Sequence, residues 1–172
     1  FVGGGSIYFN INISNSFIND KSEDLISLYN YVKNQDNEFF NYLYELNFLW
    51  KQLDINNELN TNIINKEKFV SYTNKSLALK SKRIQCLENE GNKISNKDKE
   101  NIKLTARKTA FYMCIRDIYN DQKENKQLHT ACFYFIREYC YSSMFRFSKN
   151  GNFNVPYGGQ SYNLKYMTSK IK

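Results

Sequence analysis

The sequence has 172 residues and a mass of 20.5 kDa, the size of one domain of ordinary length. Its hydrophobic content of 41%, with 16% aromatic residues, is enough to bury a core and excludes an intrinsically disordered chain. No apolar run approaches the ~20 residues of a membrane span, and no N-terminal segment resembles a secretory signal. We therefore expect a cytoplasmic protein without a membrane partner.

The net charge of +7 is distributed unevenly along the chain. Residues 1–65 contain 3 Lys and Arg against 8 Asp and Glu, whereas residues 66–172 contain 21 against 9. An acidic front half followed by a basic back half suggests a cofactor-binding part joined to a part that binds a polyanion. Lysine-rich helices that are merely solvated would give the same pattern, so charge alone leaves both interpretations open.

The chain opens with a glycine-rich turn at residues 3–5, and a short predicted strand at 16–19 ends in Asp20. Glycine turns after a strand let backbone N–H groups approach a cofactor closely. A carboxylate at the tip of the next strand can accept hydrogen bonds from ribose hydroxyls. The layout predicts a nucleoside site, although a purely structural tight turn would contain the same glycines. Tyr8 replaces the third glycine of the dinucleotide fingerprint, which disfavours a nicotinamide-binding fragment.

Five helices are predicted from capping residues and apolar spacing. Ser22 caps the first, which continues to about Val32, and an apolar stripe from Phe39 to Leu53 marks the core-facing side of the second. Residues 54–65 are a predicted loop, and 88–100 a mobile connection. The other three helices are expected at about 66–87, 101–119 and 127–140. With the strand before them, they give a truncated α/β unit that carries a helical segment.

The four cysteines and the one histidine, His129, do not predict a metal site. No Cys-x-x-Cys pair is present, and a zinc site takes four ligands at close spacing. We therefore expect no bound metal, and free thiols of the kind found in a reducing cytosol. The cysteines are Cys86, Cys114, Cys132 and Cys140.

Asn150-Gly151 lies between two aromatic runs and predicts a β-hairpin near 144–156. A three-residue loop with Gly151 in the left-handed conformation sets Phe147 opposite Phe153. The same register sets Phe145 opposite Val155. We prefer this register because one side of the hairpin is then consistently apolar.

In that register Arg146 and Asn154 share the opposite face of the hairpin. An arginine and an asparagine on one face of a basic hairpin suit guanine and adenine edges in the major groove of duplex DNA. Both residues would also be expected there if the hairpin were only solvated, so the pattern alone does not decide the matter.

Two separated blocks resemble the Dam-type N6-adenine DNA methyltransferases. The first is Phe-Val-Gly-Gly-Gly-Ser at 1–6, followed by Asn-Asp and Asp-Leu-Ile-Ser-Leu-Tyr-Asn within 19–30; the second runs from Arg146 to Gly158. The resemblance implies an α/β fold, in which a Rossmann-like S-adenosylmethionine-binding domain carries a helical target-recognition insertion ending in a β-hairpin. It assigns 1–35 to the cofactor-binding segment, 36–160 to the insertion and 161–172 to a return toward the catalytic domain.

The resemblance also assigns residues to the two sites. Phe1, Gly3, Gly5 and Ser6 are expected to line the methionine side of S-adenosylmethionine, and Asp20 to receive its ribose. The residues expected to contact double-stranded DNA are Tyr141, Met144, Arg146, Lys149, Asn154 and Pro156, with Arg146 as the reader of guanine.

The chain departs from the family at its catalytic motif, Asp-Pro-Pro-Tyr. Pro156 is the only proline, so this motif is absent, as is the Lys-Trp-x-Gly-Gly-Lys block that precedes the glycine turn in the family. We therefore expect an internal piece or split half of an adenine-N6 methyltransferase, inactive alone and complemented by a second chain that carries the motif. The alternative is a non-catalytic DNA-binding module derived from such an enzyme.

Overall fold

Five α-helices form the framework of the computed structural model, which describes residues 3–5, 7–11, 15–55 and 59–167. Helix α5 packs against α1, α2 and α4, and α3 packs along α4. None of the helices in the described ranges is long and apolar enough to cross a membrane. Their bounds are α1 Glu23–Lys33, α2 Asn37–Gln52, α3 Lys66–Asn89, α4 Asn96–Asp121 and α5 Lys126–Tyr139.

The five predicted helices are confirmed, and each begins at a residue whose side chain accepts an N–H from the first turn. In α1, for example, the Leu25 N–H donates to Ser22 Oγ at 3.3 Å. The connection predicted at 88–100 is shorter than expected, because Ser95 caps α4 and extends it back to Asn96. The five capping residues are Ser22, Asp36, Asn65, Ser95 and Asn125.

The prediction of an α/β, Rossmann-like fold is wrong, because the described residues contain no sheet. The segment predicted as a strand, 16–19, is irregular, and the Phe17 side chain is fully exposed. A four-residue strand is stable only when neighbouring strands supply hydrogen-bond partners and a packed face. No other strand in the described ranges provides them.

The prediction of a β-hairpin is also wrong as a two-stranded element, although one pair has the predicted register. Phe147 and Phe153 form an isolated antiparallel bridge, and Cys140 and Tyr157 form another. Six residues separate the bridges on one side of the chain and three on the other, so a continuous ladder cannot connect them. The segment is therefore a loop that two isolated β-bridges hold together.

The core is built around Trp50 of α2, whose indole is fully buried. Four aromatic rings from α4, α5 and the C-terminal segment surround it at centroid distances of 4.5–5.8 Å. The predicted apolar stripe of α2 is confirmed, since its residues are all buried: Phe39, Leu43, Leu46, Trp50 and, at the C-cap, Leu53. The surrounding rings belong to Phe111, Phe135, Tyr139 and Tyr157.

Beside Trp50 the core contains a fully buried cation, the ammonium group of Lys108. It donates to the Asn163 carbonyl at 2.6 Å, lies 2.8 Å from Asp54 Oδ1, and sits 4.3 Å from the centroid of the Trp50 ring. Burial lowers the pKa of Lys108, and its interaction with the Asp54 carboxylate opposes that shift. The lysine joins α4 to the turn that follows α2 and to the C-terminal segment.

We expect Lys108→Met to lower the free energy of unfolding by about 2–3 kcal/mol, because Asp54 and the Asn163 carbonyl lose their donor. Chemical denaturation with urea measures the change. The control is Lys103→Met on the same helix, whose exposed ion pair with Glu100 should contribute little to stability. Equal effects from the two variants would contradict a structural role for the buried cation.

Candidate functional site

The glycine turn and Asp20, which the sequence predicted to form one site, are in contact. The Gly3 N–H donates to Asp20 Oδ2 at 3.0 Å, and the Ser22 N–H donates to Asp20 Oδ1 at 3.0 Å. Gly3 and Gly5 have φ of +51° and +76°, in the left-handed region that favours glycine. Predicted site residues Phe1 and Ser6 lie outside the described residues.

The Asp20 carboxylate is held in its ionised form by these contacts. The hydrogen bond from the Gly3 N–H, followed by that from Ser22, lowers the pKa of Asp20 below its ordinary value. A carboxylate has about four acceptor positions, and these two backbone donors occupy two of them. The remaining positions can accept hydroxyl donors from a ligand.

Two residues of the helices reach the glycine turn, and sequence analysis singled out neither of them for this site. The Tyr29 hydroxyl of α1 donates to the Gly3 carbonyl at 3.0 Å. The guanidinium of Arg137, near the end of α5, lies so close to Gly4 that a Cβ there would be 3.4 Å from Nη2. Arg137 brings a positive charge to the turn from more than 130 residues away, so no local pattern could reveal it.

The recognition loop, defined here as residues 144–156, places the predicted polar pair together. Arg146 Nε donates to Asn154 Oδ1 at 3.0 Å, and both side chains are exposed. Gly151 has the predicted left-handed φ, +77°. On the other side Phe153 and Val155 are buried, but Phe145 and Phe147 are 40% and 47% exposed, so the expected apolar side is only half covered.

Side chains of α4 fix the recognition loop to the bundle. Asn120 bonds Phe153 twice, accepting from its N–H at 2.8 Å and donating to its carbonyl at 3.1 Å. The Tyr112 hydroxyl donates to the Val155 carbonyl at 3.0 Å. These bonds hold the loop in place without a sheet, and they leave its exposed edge free for a partner.

The six residues predicted to contact DNA are all exposed around this loop. Tyr141 lies beside Pro156, whose carbonyl accepts the Tyr141 N–H at 2.9 Å. Ser142 and Ser143 have φ of +51° and +53°, a conformation that non-glycine residues adopt rarely and often at functional sites. The six residues are Tyr141, Met144, Arg146, Lys149, Asn154 and Pro156.

A cluster of three side chains between α1, α4 and α5 was not predicted. The Tyr119 hydroxyl donates to Asp24 Oδ2 at 2.6 Å, and His129 Nε2 lies 3.0 Å from Asp24 Oδ1. The Tyr119 and His129 rings stack at 4.6 Å. Burial works to raise the pKa of Asp24, but the hydrogen bonds from His129 and Tyr119 outweigh it and lower the pKa.

The cluster forms one wall of a cleft of about 620 Å³ between the start of α1 and the recognition loop. Lys21, Lys123 and Lys126 line it together with Phe147 and Gly151 of the loop. The cleft thus adjoins both predicted sites, the Asp20 region and the recognition loop. Within the described residues, no group of His, Cys, Asp and Glu side chains could hold a metal ion.

Comparison with known families identifies the family of the chain. Residues 1–171 match the family model described as D12 class N6 adenine-specific DNA methyltransferase, and the chain belongs to that family. The resemblance inferred from the two sequence blocks is thereby confirmed.

A curated relative is the type II methyltransferase M.MjaIII of Methanocaldococcus jannaschii. It is 40% identical over 50 residues, which cover 28% of this chain. The same alignment covers 17% of the length of the relative, so the likeness concerns a small part of that protein.

We expect Asp24→Asn to lower the free energy of unfolding at pH 7 by about 1–2 kcal/mol, because hydrogen bonds to a carboxylate are stronger than those to an amide. The pKa of Asp24 is lowered in the folded protein, so its stabilisation is present above the ordinary value of 3.8 and is lost as the pH falls through the folded value. The variant should therefore lose stability less steeply than the parent below about pH 4.

Urea denaturation at pH 7, 5 and 3.5 measures both effects. Asp121→Asn, at an exposed position at the end of α4, is the matched control and should follow the parent at each pH. If Asp24→Asn and Asp121→Asn behave alike, the cluster does not stabilise the junction of α1, α4 and α5.

Proposed function

We propose that this chain provides the cofactor contacts and the target recognition of an S-adenosylmethionine-dependent DNA adenine-N6 methyltransferase. The observation that carries the proposal is the contact between Gly3 and Asp20, made within a chain that belongs to the adenine-methyltransferase family. Residues 1–35 hold the cofactor in this proposal, and residues 36–160 recognise double-stranded DNA.

The residues present fit S-adenosylmethionine at two of its polar groups. The acceptor positions of Asp20 that the backbone leaves open suit ribose hydroxyls. Arg137, beside Gly4, suits a carboxylate, the group that ends the methionine part of the cofactor. When bound, the cofactor supplies the methyl group for adenine N6, while Asp20 and Arg137 orient it.

The recognition loop fits duplex DNA through residue type and exposure. An arginine that projects from a fixed loop can make two hydrogen bonds to guanine in the major groove, and an asparagine can do the same with adenine. In the free protein Arg146 and Asn154 bond each other, which keeps both side chains on the exposed edge. Lys149 at the tip suits a phosphate contact, which positions the protein without reading sequence.

The group that holds the adenine amino nitrogen is not among the 172 residues, since they contain no Asp-Pro-Pro-Tyr motif. We propose that another polypeptide segment supplies this motif and completes the active site. Without it nothing orients adenine toward the methyl donor, and such positioning contributes several kcal/mol to catalysis.

A non-catalytic DNA-binding module is the second candidate, favoured by the same missing motif together with the basic charge of residues 66–172.

We expect the purified chain to transfer no methyl groups to adenine in duplex DNA above a mock control. Addition of a chain that carries Asp-Pro-Pro-Tyr should restore transfer from radiolabelled S-adenosylmethionine. In that complex Asp20→Ala should weaken cofactor binding roughly 10- to 100-fold, because a hydrogen bond to a charged group is lost.

The control for this experiment is Asp36→Ala, which removes a carboxylate that caps α2 instead of contacting the glycine turn. It should leave cofactor affinity unchanged. Methylation by the chain alone would contradict the need for a second segment, and failure of every complementing chain would favour the DNA-binding module.

Arg146→Ala should relax sequence preference at one base pair of the methylated site, because a bidentate contact to guanine contributes about 1–3 kcal/mol of discrimination. Lys149→Ala should instead weaken binding evenly across sequences and reduce its salt dependence. Competition binding with single-base variants of the site measures both. If both variants lose affinity equally for all sequences, the recognition loop contacts only phosphates and does not read bases.

A further inference from the structure

Helices α3 and α4 extend beyond the core as a two-helix arm, defined here as residues 74–104. No residue in this range is buried, whereas Phe69 before it and Thr105 after it are. Helices α3 and α4 pack on each other, but no residue of the arm belongs to the core. An extension of this length is expected to have a role outside the folding of the domain.

The arm is basic, and its negative charges are largely engaged within it. It contains eight Lys and Arg against four Asp and Glu. Glu88 pairs with Lys99 at 3.2 Å, Glu100 pairs with Lys103 at 2.7 Å, and the Asp98 carboxylate accepts from Ser95. Most of the remaining positive charge therefore has no carboxylate partner among the described residues.

Two unpaired lysines of the arm continue a line that begins before it on α3, at Lys68. Lys68, Lys75 and Lys82 are exposed and follow one another at seven-residue spacing, which is close to two helical turns. We call them the basic stripe. None of the three makes an ion pair with another described residue. Arg83, next to the stripe, lies near Lys80, and burial followed by this like charge lowers the pKa of Lys80.

The position of the basic stripe relative to the recognition loop follows from two contacts between the helices. Tyr72 donates to Asp117 at 2.7 Å, and Glu88 pairs with Lys99, so α3 and α4 are antiparallel in a fixed register. Lys68 is thus level with the last turns of α4, where Asn120 holds the recognition loop. From there the stripe runs about 21 Å to Lys82, at 1.5 Å per residue.

We propose that the basic stripe is a second DNA-contacting surface, which binds backbone phosphates beside the sequence that the recognition loop reads. A span of about 21 Å corresponds to roughly six base pairs at 3.4 Å each. Duplex DNA is favoured over an acidic protein because the stripe is linear and evenly spaced, and because it starts at the same end of the bundle as the recognition loop. The inference rests on the proposed function, since it extends the DNA footprint of that site.

The test measures how salt weakens binding to a 30-base-pair duplex of mixed sequence, by fluorescence anisotropy. It compares the parent with a stripe variant and a control variant. Lys75→Ala/Lys82→Ala should lower the slope of log K against log salt by about 2, because each phosphate contact contributes about 0.9. Affinity at 0.1 M salt should fall roughly tenfold or more. The matched control, Lys99→Ala/Lys103→Ala, removes the same charge from the arm but only from lysines that are already paired.

A second measurement uses Cys86, the exposed thiol on α3 four residues beyond Lys82. A thiol-reactive photo-crosslinker on Cys86 should cross-link to the duplex at 0.1 M salt and not at 1 M salt. The same label on Cys86→Ser/Tyr44→Cys, which moves the thiol to an exposed position on α2, should give little cross-linking.

The inference would be overturned if the stripe and control variants lost DNA affinity equally, or if the stripe variant bound like the parent. Equal cross-linking from the two labelled positions would also overturn it. If the parent binds DNA and Arg146→Ala still relaxes sequence preference, the proposed function stands even where the stripe fails. A parent that binds no duplex DNA contradicts both.

Discussion

The ammonium group of Lys108 is enclosed where three segments of the chain meet, and the arrangement of the whole domain depends on it. A buried charge is tolerated only when it is paired and hydrogen-bonded. Here the partners are Asp54 in the turn after α2, Asn163 in the C-terminal segment, and the face of the Trp50 ring. Because these partners are distant in sequence, they must all be in place before the cation is satisfied.

The contacts around Lys108 also hold the recognition loop in position. Its C-terminal side continues into the segment that Lys108 holds, where the Tyr157 hydroxyl donates to the Asn163 side chain, and Asn163 in turn donates to Thr105 of α4. Its N-terminal side is joined to α5 by the four residues 140–143. Both ends of the loop are thus attached to the packed core, while Arg146 stays at an exposed edge. Rigid support beneath an exposed polar edge suits the DNA-reading role proposed for the loop.

The acidic front part of the chain packs on the basic helices through α1 and α2, and polar contacts add to this apolar packing. Asp24 accepts a hydrogen bond from the Tyr119 hydroxyl and contacts His129 Nε2. The guanidinium of Arg137 lies beside the glycine turn. These contacts join the region proposed to hold the cofactor to the helices that carry the recognition loop. Residues of opposite charge from the two parts of the chain, Asp24 and His129 among them, therefore come together at this junction.

The sequence by itself determined the helices, because their caps and apolar stripes are local. It also identified the Gly3–Asp20 pair and the Phe147–Phe153 register, which depend on spacing within short segments. Only the tertiary structure decided the rest. The α/β prediction failed because a strand needs neighbours that the described chain does not supply, and the hairpin failed because its two sides differ in length between the bridges. The Asp24 cluster and the enclosure of Lys108 join residues 54–105 positions apart, and no local pattern encodes such contacts.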